Sequence, residues 1–306
     1  MGNPLTAAMT IPRHDSSLDF KPKHKWFLGF DSDGTVFNSM EIKQKRIFLP
    51  LAVELFGLQA VAKEFHEIGE SINLYSETRG INRFQAMARA LNSLQRHPQV
   101  RAKGIRLPDF SALQDFVRSG RALTTASLAD YNREKSDPFL AKVIAWSTRS
   151  DDQYAQITKE EGNPPYPQIR PVLERAAGNA DLMIVSGTPR RALLQDWGDT
   201  NLLPFINFIG CQEMGSKTDQ LRFAVNGNYE PHRTLMIGDA PGDLKAAQAN
   251  HVMFYPIMPG QEAQSWARFL DEGFDRFLSE RYAGDYERQL VDEFVSRLRM
   301  GHPKEA

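Results

Sequence analysis

The stretch that decides the fold of this chain is WFLGFDSDGT, residues 26–35. Its first half is an apolar run of the length and composition typical of a buried strand, and two carboxylates follow where that strand would end. Residues i and i+2 of an extended segment point to the same side, so Asp31 and Asp33 can face one bound group. Gly34 then permits a tight turn of the backbone.

The pairing of these two carboxylates favours phosphoryl chemistry. One carboxylate can attack an electrophilic phosphorus while the second, as a carboxylic acid, protonates the departing oxygen. Taken alone, the motif leaves two other interpretations, a polar turn after a strand or a fragment of a calcium-binding loop. The calcium interpretation fails locally, because Thr35, Val36 and Phe37 do not continue the spacing of oxygen ligands.

Length and composition set broad limits on the class of protein. A chain of 306 residues is long enough for two domains. Its 37 basic and 38 acidic residues nearly cancel, which argues against nucleic acid as a partner and favours a small-molecule substrate. The single cysteine, Cys211, excludes an intramolecular disulfide framework and suits a reducing compartment.

The sequence carries no pattern typical of membrane insertion or export. No apolar run reaches the roughly 18 residues needed to span a bilayer, and the N-terminal segment lacks the apolar core of a signal peptide. We therefore expect a cytoplasmic protein with no membrane partner. Residues 1–23 mix proline, serine, histidine and charge without periodicity, and are predicted to form a flexible N-terminal tail.

Hydrophobic periodicity divides the rest of the chain into parts. Residues 39–165, which we call the helical insertion, carry apolar residues at helical spacing, and Gly57 is predicted to end the first helix. From residue 166 the pattern alternates, with helices predicted at 169–177, 189–197, 217–224 and 242–249, and strands at 182–185, 205–209, 235–237 and 252–255. With the strand at 26–30, this alternation predicts an α/β fold: a doubly wound, mostly parallel sheet interrupted by the helical insertion.

Residues 261–306 form the last part, a predicted helical extension. Phe269, Phe274, Phe277 and Leu278 recur there at amphipathic spacing. These helices could cover the core of the sheet or mediate a homodimer.

Three further polar motifs fall at the ends of predicted strands or at helix starts, where open α/β sheets place their ligands. In the first, Ser186 and Gly187 follow the strand 182–185 and precede Pro189, a residue favoured at the start of a helix. A hydroxyl with unpaired backbone N–H groups at a helix start can hold a phosphate group. Ordinary strand-to-helix turns, however, use the same residue types.

The second and third motifs carry opposite charges. Lys217 opens a predicted helix, where the helix dipole disfavours a cation, so its ammonium is a candidate to neutralise a phosphate and to keep a carboxylate ionised. Asp239 and Asp243 follow the strand 235–237, and hard carboxylate oxygens on such a loop suit Mg²⁺. Asp239 is the expected direct ligand, and Asp243 is expected to orient the lysine or a metal-bound water.

Two arginines of the helical insertion are candidates for substrate contact. Arg79 and Arg83 lie four residues apart around a predicted helix start at residues 80–82, and could reach an anionic substrate tail. A solvated helix face is the favoured interpretation for this pair.

The four motifs, in the order Asp-x-Asp, Ser, Lys and Gly-Asp-x-x-x-Asp, resemble those of the haloacid dehalogenase superfamily. The resemblance covers about residues 24–38 and 166–256. It implies a discontinuous catalytic core, residues 24–38 and 166–260, with a Rossmann-like sheet. The helical insertion is then similar to the family's helical cap domain, which opens and closes over the site.

The same resemblance implies roles for individual residues and for a bound metal ion. Asp31 would be the nucleophile, and Asp33 the general acid/base whose backbone carbonyl also binds the metal. The phosphoryl group would be held by Ser186 and the amide of Gly187 and stabilised by Lys217. Asp239 would complete the Mg²⁺ site together with Asp31.

Within the resembling family, an Asp two residues beyond the nucleophile implies phosphate-ester chemistry, because an alkoxide needs a proton to leave whereas a halide does not. The leading hypothesis is a Mg²⁺-dependent phosphatase that hydrolyses a small phosphorylated metabolite through an aspartyl phosphate. A phosphomutase on the same scaffold is the alternative. A non-catalytic interaction protein is a third, less favoured because the acidic, hydroxyl and lysine positions are all intact. No P-loop motif supports a nucleotide triphosphatase.

Overall fold

The computed structural model describes residues 21–300, and its centre is a sheet of five parallel strands. The strands are β1 Trp26–Phe30, β2 Ala180–Val185, β3 Phe208–Gly210, β4 Thr234–Gly238 and β5 Met253–Pro256. Their order across the sheet is β3-β2-β1-β4-β5, and every pair is parallel. The register sets Phe30 of β1 beside Ile184 of β2 and Ile237 of β4, so these three strands end at one edge.

Both faces of the sheet are buried, as expected for parallel strands covered by helices. Alternate residues of each strand point to opposite faces. Leu28, Leu182 and Leu235 belong to one apolar cluster, whereas Phe27 and Met183 belong to another. The prediction of a doubly wound parallel sheet is confirmed.

The helices that cover the sheet follow its strands along the chain. They are α9 Ile169–Ala177, α10 Arg190–Asp199, α11 Lys217–Val225 and α12 Pro241–Ala249, numbered after the eight α-helices of the insertion given below. The C-terminal extension adds α13 Glu262–Arg268, a π-helix Phe269–Gly273, α14 Phe274–Leu278 and α15 Asp285–Met300. Trp266 packs in the cluster on one face and Phe294 in the cluster on the other, so the extension covers the sheet on both sides.

The helical insertion leaves the core after β1 and has an apolar cluster of its own. Its helices are α1 Ser39–Glu41, a π-helix Ile42–Phe48, α2 Leu49–Phe56, α3 Ala62–Leu74, α4 Arg83–Arg96, α5 Pro98–Ala102, α6 Ser111–Arg118, α7 Thr125–Lys135 and α8 Pro138–Glu161. Gly57 ends α2 in the left-handed conformation, as its position predicts. Trp146 is fully buried in this cluster against Phe48 and Phe56.

The strand predicted at 205–209 is wrong over its first three residues. Leu203–Phe205 forms a 3₁₀ turn, and the strand begins only at Phe208. The prediction gave too little weight to Pro204, whose fixed φ and missing N–H fit a helical turn better than a paired strand. The helix predicted at 189–197, which precedes this strand, begins one residue late at Arg190, because Pro189 is its extended N-cap.

Two expectations of the sequence analysis concern membranes and the N-terminal tail. Within residues 21–300, no helix combines the length and the apolar character required to cross a membrane. Of the predicted tail, residues 1–20 lie outside the described part of the chain.

Candidate active site

The predicted site residues meet at the carboxyl edge of the sheet. Asp31 follows β1, and its backbone N–H donates to the carbonyl of Ile237 at 2.9 Å. Asp239 follows β4, the neighbour of β1 on the side where the strand order reverses. Open α/β sheets bind ligands in the crevice at this reversal.

Lys217 links two of the carboxylates. Its ammonium, at the first residue of α11, lies 2.8 Å from Oδ1 of Asp31 and 2.6 Å from Oδ1 of Asp243. Burial, together with the charges of Asp243 and Asp239, raises the pKa of Asp31 well above its ordinary value, although Lys217 opposes that rise. The two carboxylates raise the pKa of Lys217 against the effect of its burial, so the ammonium is charged.

Asp239 is buried and has a partner on each oxygen. Thr35 donates its hydroxyl to Oδ1 at 2.5 Å, and Arg79 donates Nε–H to Oδ2 at 2.7 Å. The side chain of Asp239 is 1% exposed.

Three buried carboxylates, which we call the carboxylate cluster, fit the donor set of a Mg²⁺ site. Asp31, Asp239 and Asp243 each offer an oxygen, and these atoms lie within 4.8 Å of one another. Hard oxygen ligands are those that Mg²⁺ selects, and clustered buried carboxylates repel one another unless cations compensate them. The residues present therefore fit a divalent cation.

Asp33 does not join the carboxylate cluster with its side chain. One oxygen accepts from the hydroxyl of Ser39, the other from Thr188 at 2.7 Å, and the ammonium of Lys43 lies 2.7 Å from both. Burial alone would raise the pKa of Asp33, but Lys43 and the hydroxyl groups lower it to about 2. In this arrangement Asp33 is ionised.

The predicted phosphate-binding turn is held in place by one buried glutamine. Gln220 of α11 accepts from the N–H of Ser186 at 3.0 Å and donates to the carbonyl of the same residue at 2.9 Å. The hydroxyl of Ser186 accepts from the N–H of Thr188. A Cβ built on Gly187 would meet no atom within 4 Å, so the turn has open space beside it.

Position 34 requires glycine for two reasons, its backbone conformation and the lack of room for a side chain. Its φ of +82° is in the left-handed region that favours glycine. A Cβ at this position would collide with the carboxylate of Asp239 and lie 2.8 Å from Nη2 of Arg79. The two loops that carry the acidic residues can approach one another only because this side chain is missing.

The solvated-face interpretation of the two arginines is wrong for Arg79. The residue is 4% exposed, and it contacts the core through Asp239. The sequence correctly placed Arg79 next to a helix start. The direction of its side chain, however, depends on what the turn before α4 packs against, and periodicity does not predict that. Arg83 differs: it contacts Ser147 at 3.1 Å and Asp151 at 2.8 Å, both within the helical insertion.

Lys43 belongs to the site although none of the sequence motifs includes it. This residue and Ser39 lie four apart, which places both on one face of the helix that follows the Asp-x-Asp loop. That spacing is the signal by which the pair could have been found. Lys43 also lies over the ring of Tyr154, 4.4 Å from its centroid.

A model of the haloacid dehalogenase-like hydrolase family matches residues 28–251 of the sequence. The match spans most of β1, all of β2, β3 and β4, and the helical insertion, and it ends just before β5. The chain therefore belongs to the haloacid dehalogenase-like hydrolases, a family of enzymes. Comparison with curated proteins yields no sequence match.

Solved structures of similar fold include further proteins described as members of this family or as phosphatases. A haloacid dehalogenase-like hydrolase from Streptococcus pneumoniae is 17% identical with a TM-score of 0.43, over 88% of this chain and 98% of that one. A predicted phosphoglycolate phosphatase from Haemophilus somnus is 14% identical with a TM-score of 0.46, over 81% and 97%. A predicted phosphatase from Clostridium acetobutylicum is 16% identical with a TM-score of 0.41, over 84% and 99%. At these values the family assignment rests on the sequence match.

Proposed function

We propose that this haloacid dehalogenase-like hydrolase is a Mg²⁺-dependent phosphatase that hydrolyses a small phosphate monoester through an aspartyl phosphate. The observation that carries the proposal is the contact of Asp31 with the Lys217 ammonium at 2.8 Å, with a second carboxylate two residues along the chain. A nucleophilic carboxylate needs a neighbouring cation both to stay ionised and to approach an anionic substrate.

The reaction would proceed in two displacements at phosphorus. In the first, an oxygen of Asp31 forms a bond to phosphorus while the bond to the leaving oxygen breaks, and Asp33 gives that oxygen a proton. In the second, Asp33 takes a proton from water, the water oxygen bonds to phosphorus, and the bond from phosphorus to Asp31 breaks. The products are an alcohol and inorganic phosphate; Asp31 is released as a carboxylate, and Asp33 ends the cycle protonated, as it began.

The two steps require opposite protonation states of Asp33. Its pKa of about 2 suits the base required in the second step. The acid step requires a higher pKa, which a phosphoryl dianion beside the carboxylate would produce by charge repulsion. Thr188 and Lys43 contact the same carboxylate, so both would influence this change.

Ser186, the amide of Gly187 and Lys217 would hold the phosphoryl oxygens. Asp31, Asp239 and the backbone carbonyl of Asp33 would bind Mg²⁺, with Asp243 orienting Lys217. When bound, the ion would supply positive charge that screens the repulsion between the anionic nucleophile and the anionic substrate.

We assign the helical insertion, residues 39–165, the role of a cap over a core formed by residues 24–38 and 166–260. Asp31 is 3% exposed and Ser186 is 1% exposed, which supports a covering segment that moves when a phosphorylated metabolite binds. We also infer a cytoplasmic location, which the single cysteine favours.

The test is a panel of phosphorylated metabolites assayed for phosphate release with and without Mg²⁺. We expect release that depends on Mg²⁺ and falls by about 10³-fold or more in Asp31→Asn. Asp292→Asn, which changes an exposed carboxylate on α15, is the matched control and should retain activity. Equal turnover by Asp31→Asn would refute the nucleophile, and isomer formation from sugar phosphates without phosphate release would point to a phosphomutase.

A second variant tests the acid. Asp33→Asn should slow esters with poor leaving groups much more than nitrophenyl phosphate, because a good leaving group departs without a proton. If both kinds of ester slow equally, another group is the acid.

A further inference from the structure

Arg79 is a cation that the helical insertion places inside the core. It lies in the turn between α3 and α4, residues 76–81, which we call the arginine loop. Its Nε–H donates to Oδ2 of Asp239 at 2.7 Å, and Nη1 donates to the carbonyl of Leu74 at 2.7 Å. The side chain is 3% exposed, so water screens this ion pair poorly.

The arginine loop is seated directly on the loops that carry the acidic residues. Gly80 has a φ of +73°, and a Cβ there would lie 2.9 Å from the Cβ of Ala240, the residue after Asp239. On the other side, Nη2 of Arg79 lies against Gly34. The guanidinium is therefore enclosed between the two loops, and it cannot leave Asp239 unless the arginine loop moves.

The ion pairs of the site divide between the two parts of the molecule. Lys217, from the core, pairs with Asp31 and Asp243. Arg79, from the helical insertion, is the cation paired with Asp239. Asp239 is also a member of the carboxylate cluster that fits a divalent cation.

We propose that Arg79 is a built-in counter-cation of Asp239 that competes with the divalent cation, so that metal loading and seating of the arginine loop oppose one another. The inference deepens the proposed function and rests on its metal site. Arg79 then lowers the affinity of the site for the metal. The metal binds to the form of the protein in which the arginine loop has moved away from Asp239.

The physical reason is repulsion and shared ligands. A guanidinium on one oxygen of Asp239 withdraws that oxygen's charge from any other cation, and two cations on one carboxylate repel each other at short range. Linkage makes the effect reciprocal: if seating the arginine loop weakens metal binding by some factor, metal binding weakens the seating by the same factor.

The first experiment measures Mg²⁺ binding by calorimetry, without substrate, to the wild type and three variants. We expect Arg79→Gln to bind Mg²⁺ about tenfold more tightly, within the usual range of coupling between two sites. Arg79→Lys keeps the positive charge and should stay closer to the wild type. The matched control is Arg83→Gln, since Arg83 is an arginine four residues away that pairs within the helical insertion and should leave the affinity unchanged.

The second experiment uses only the wild type, so it holds even if Arg79→Gln does not fold. The N–H groups of Arg79 and Ile81 donate within the arginine loop, to Ser76 at 2.8 Å and Thr78 at 3.2 Å. Hydrogen exchange at these amides should become faster when Mg²⁺ is added, because the loop leaves its seat.

Equal or weaker Mg²⁺ binding by folded Arg79→Gln would overturn the inference, as would exchange in the arginine loop that slows or does not change with Mg²⁺. Both results leave the proposed phosphatase standing, since that is judged by phosphate release. A chain that releases phosphate with added Mg²⁺ yet shows no competition with Arg79 separates the two failures. Absence of Mg²⁺ binding would overturn the inference together with the metal part of the proposed function.

Discussion

The edge of the sheet and the helical insertion contribute to the site in different ways. The sheet edge supplies carboxylates directly after strands, Asp31 after β1 and Asp239 after β4. The helical insertion supplies two cations that reach carboxylates of the core: Lys43 pairs with Asp33, and Arg79 pairs with Asp239. The core therefore carries the reacting groups, while the charge balance around them depends on where the insertion lies.

The largest expected effect comes from Lys217, a cation that the core itself supplies to the site. Lys217→Met should lower kcat/KM for a phosphate monoester by about 10³-fold, because it removes the positive charge beside the nucleophile. The control is Lys245→Met, which replaces an exposed lysine on α12 and should leave kcat/KM unchanged. Steady-state kinetics on both variants measures this. A loss of less than tenfold would mean that the core does not depend on its own cation.

The next effect tests whether the insertion takes part in the chemistry. Lys43→Met should lower kcat by between about 10²- and 10³-fold, because Lys43 holds both oxygens of the proposed acid/base Asp33. The control is Lys45→Met: Lys45 lies two residues along the same π-helix but pairs with Glu41, so this substitution should change kcat little. Similar kcat values for the two variants would assign the insertion a purely covering role.

The pH dependence of stability reports on the same contact between the core and the insertion. Burial raises the pKa of Asp196 on α10 to about 6, with Lys43 lowering it and Asp33 raising it. Because the folded state holds this proton more tightly than the unfolded chain, the stability that the protonated form contributes is lost as pH rises from about 4 to about 6. Above that range the wild type should be less stable by up to about 3 kcal/mol.

Asp196→Asn removes the titration and keeps the shape. Relative to the wild type, it should gain unfolding free energy between pH 4 and pH 7, measured by urea denaturation at each pH. A difference between the two proteins that is the same at both pH values would contradict the account.

The smallest effect is expected where the insertion contacts the C-terminal extension. Glu77 pairs with Arg299 at 3.0 Å, but both side chains are more than half exposed. Exposed pairs contribute little, so Glu77→Gln should change the unfolding free energy by less than about 0.5 kcal/mol. Thermal and urea denaturation check this. A larger loss would mean that the surface contact, rather than the buried Arg79–Asp239 pair, anchors the insertion.

The sequence predicts the sheet edge well because its features are local. An apolar run followed by Asp31, and another followed by Asp239, place both residues at strand ends without knowledge of the rest of the fold. The one error near this edge is also local: Pro204 delays the start of the third strand to Phe208.

The insertion's contribution could not be predicted in the same way. Arg79 lies in a turn, and no periodicity determines whether a turn residue points to solvent or into a neighbouring part of the chain. Lys43 differs: its spacing from Ser39 is a local signal, but that spacing does not by itself identify Asp33 as the shared partner. Arg79 depends on Asp239, a residue distant in sequence, whereas Lys43 contacts Asp33 only ten residues away.

The most direct test of the central claim is chemical trapping of the aspartyl phosphate. The wild type is mixed with a phosphate monoester that it turns over, quenched, reduced with borohydride and analysed by peptide mass spectrometry. An acyl phosphate at Asp31 is reduced to homoserine, so we predict substrate-dependent homoserine at position 31 and none in Asp31→Asn. Phosphate release with homoserine absent from position 31, or present at position 33 instead, would contradict the account.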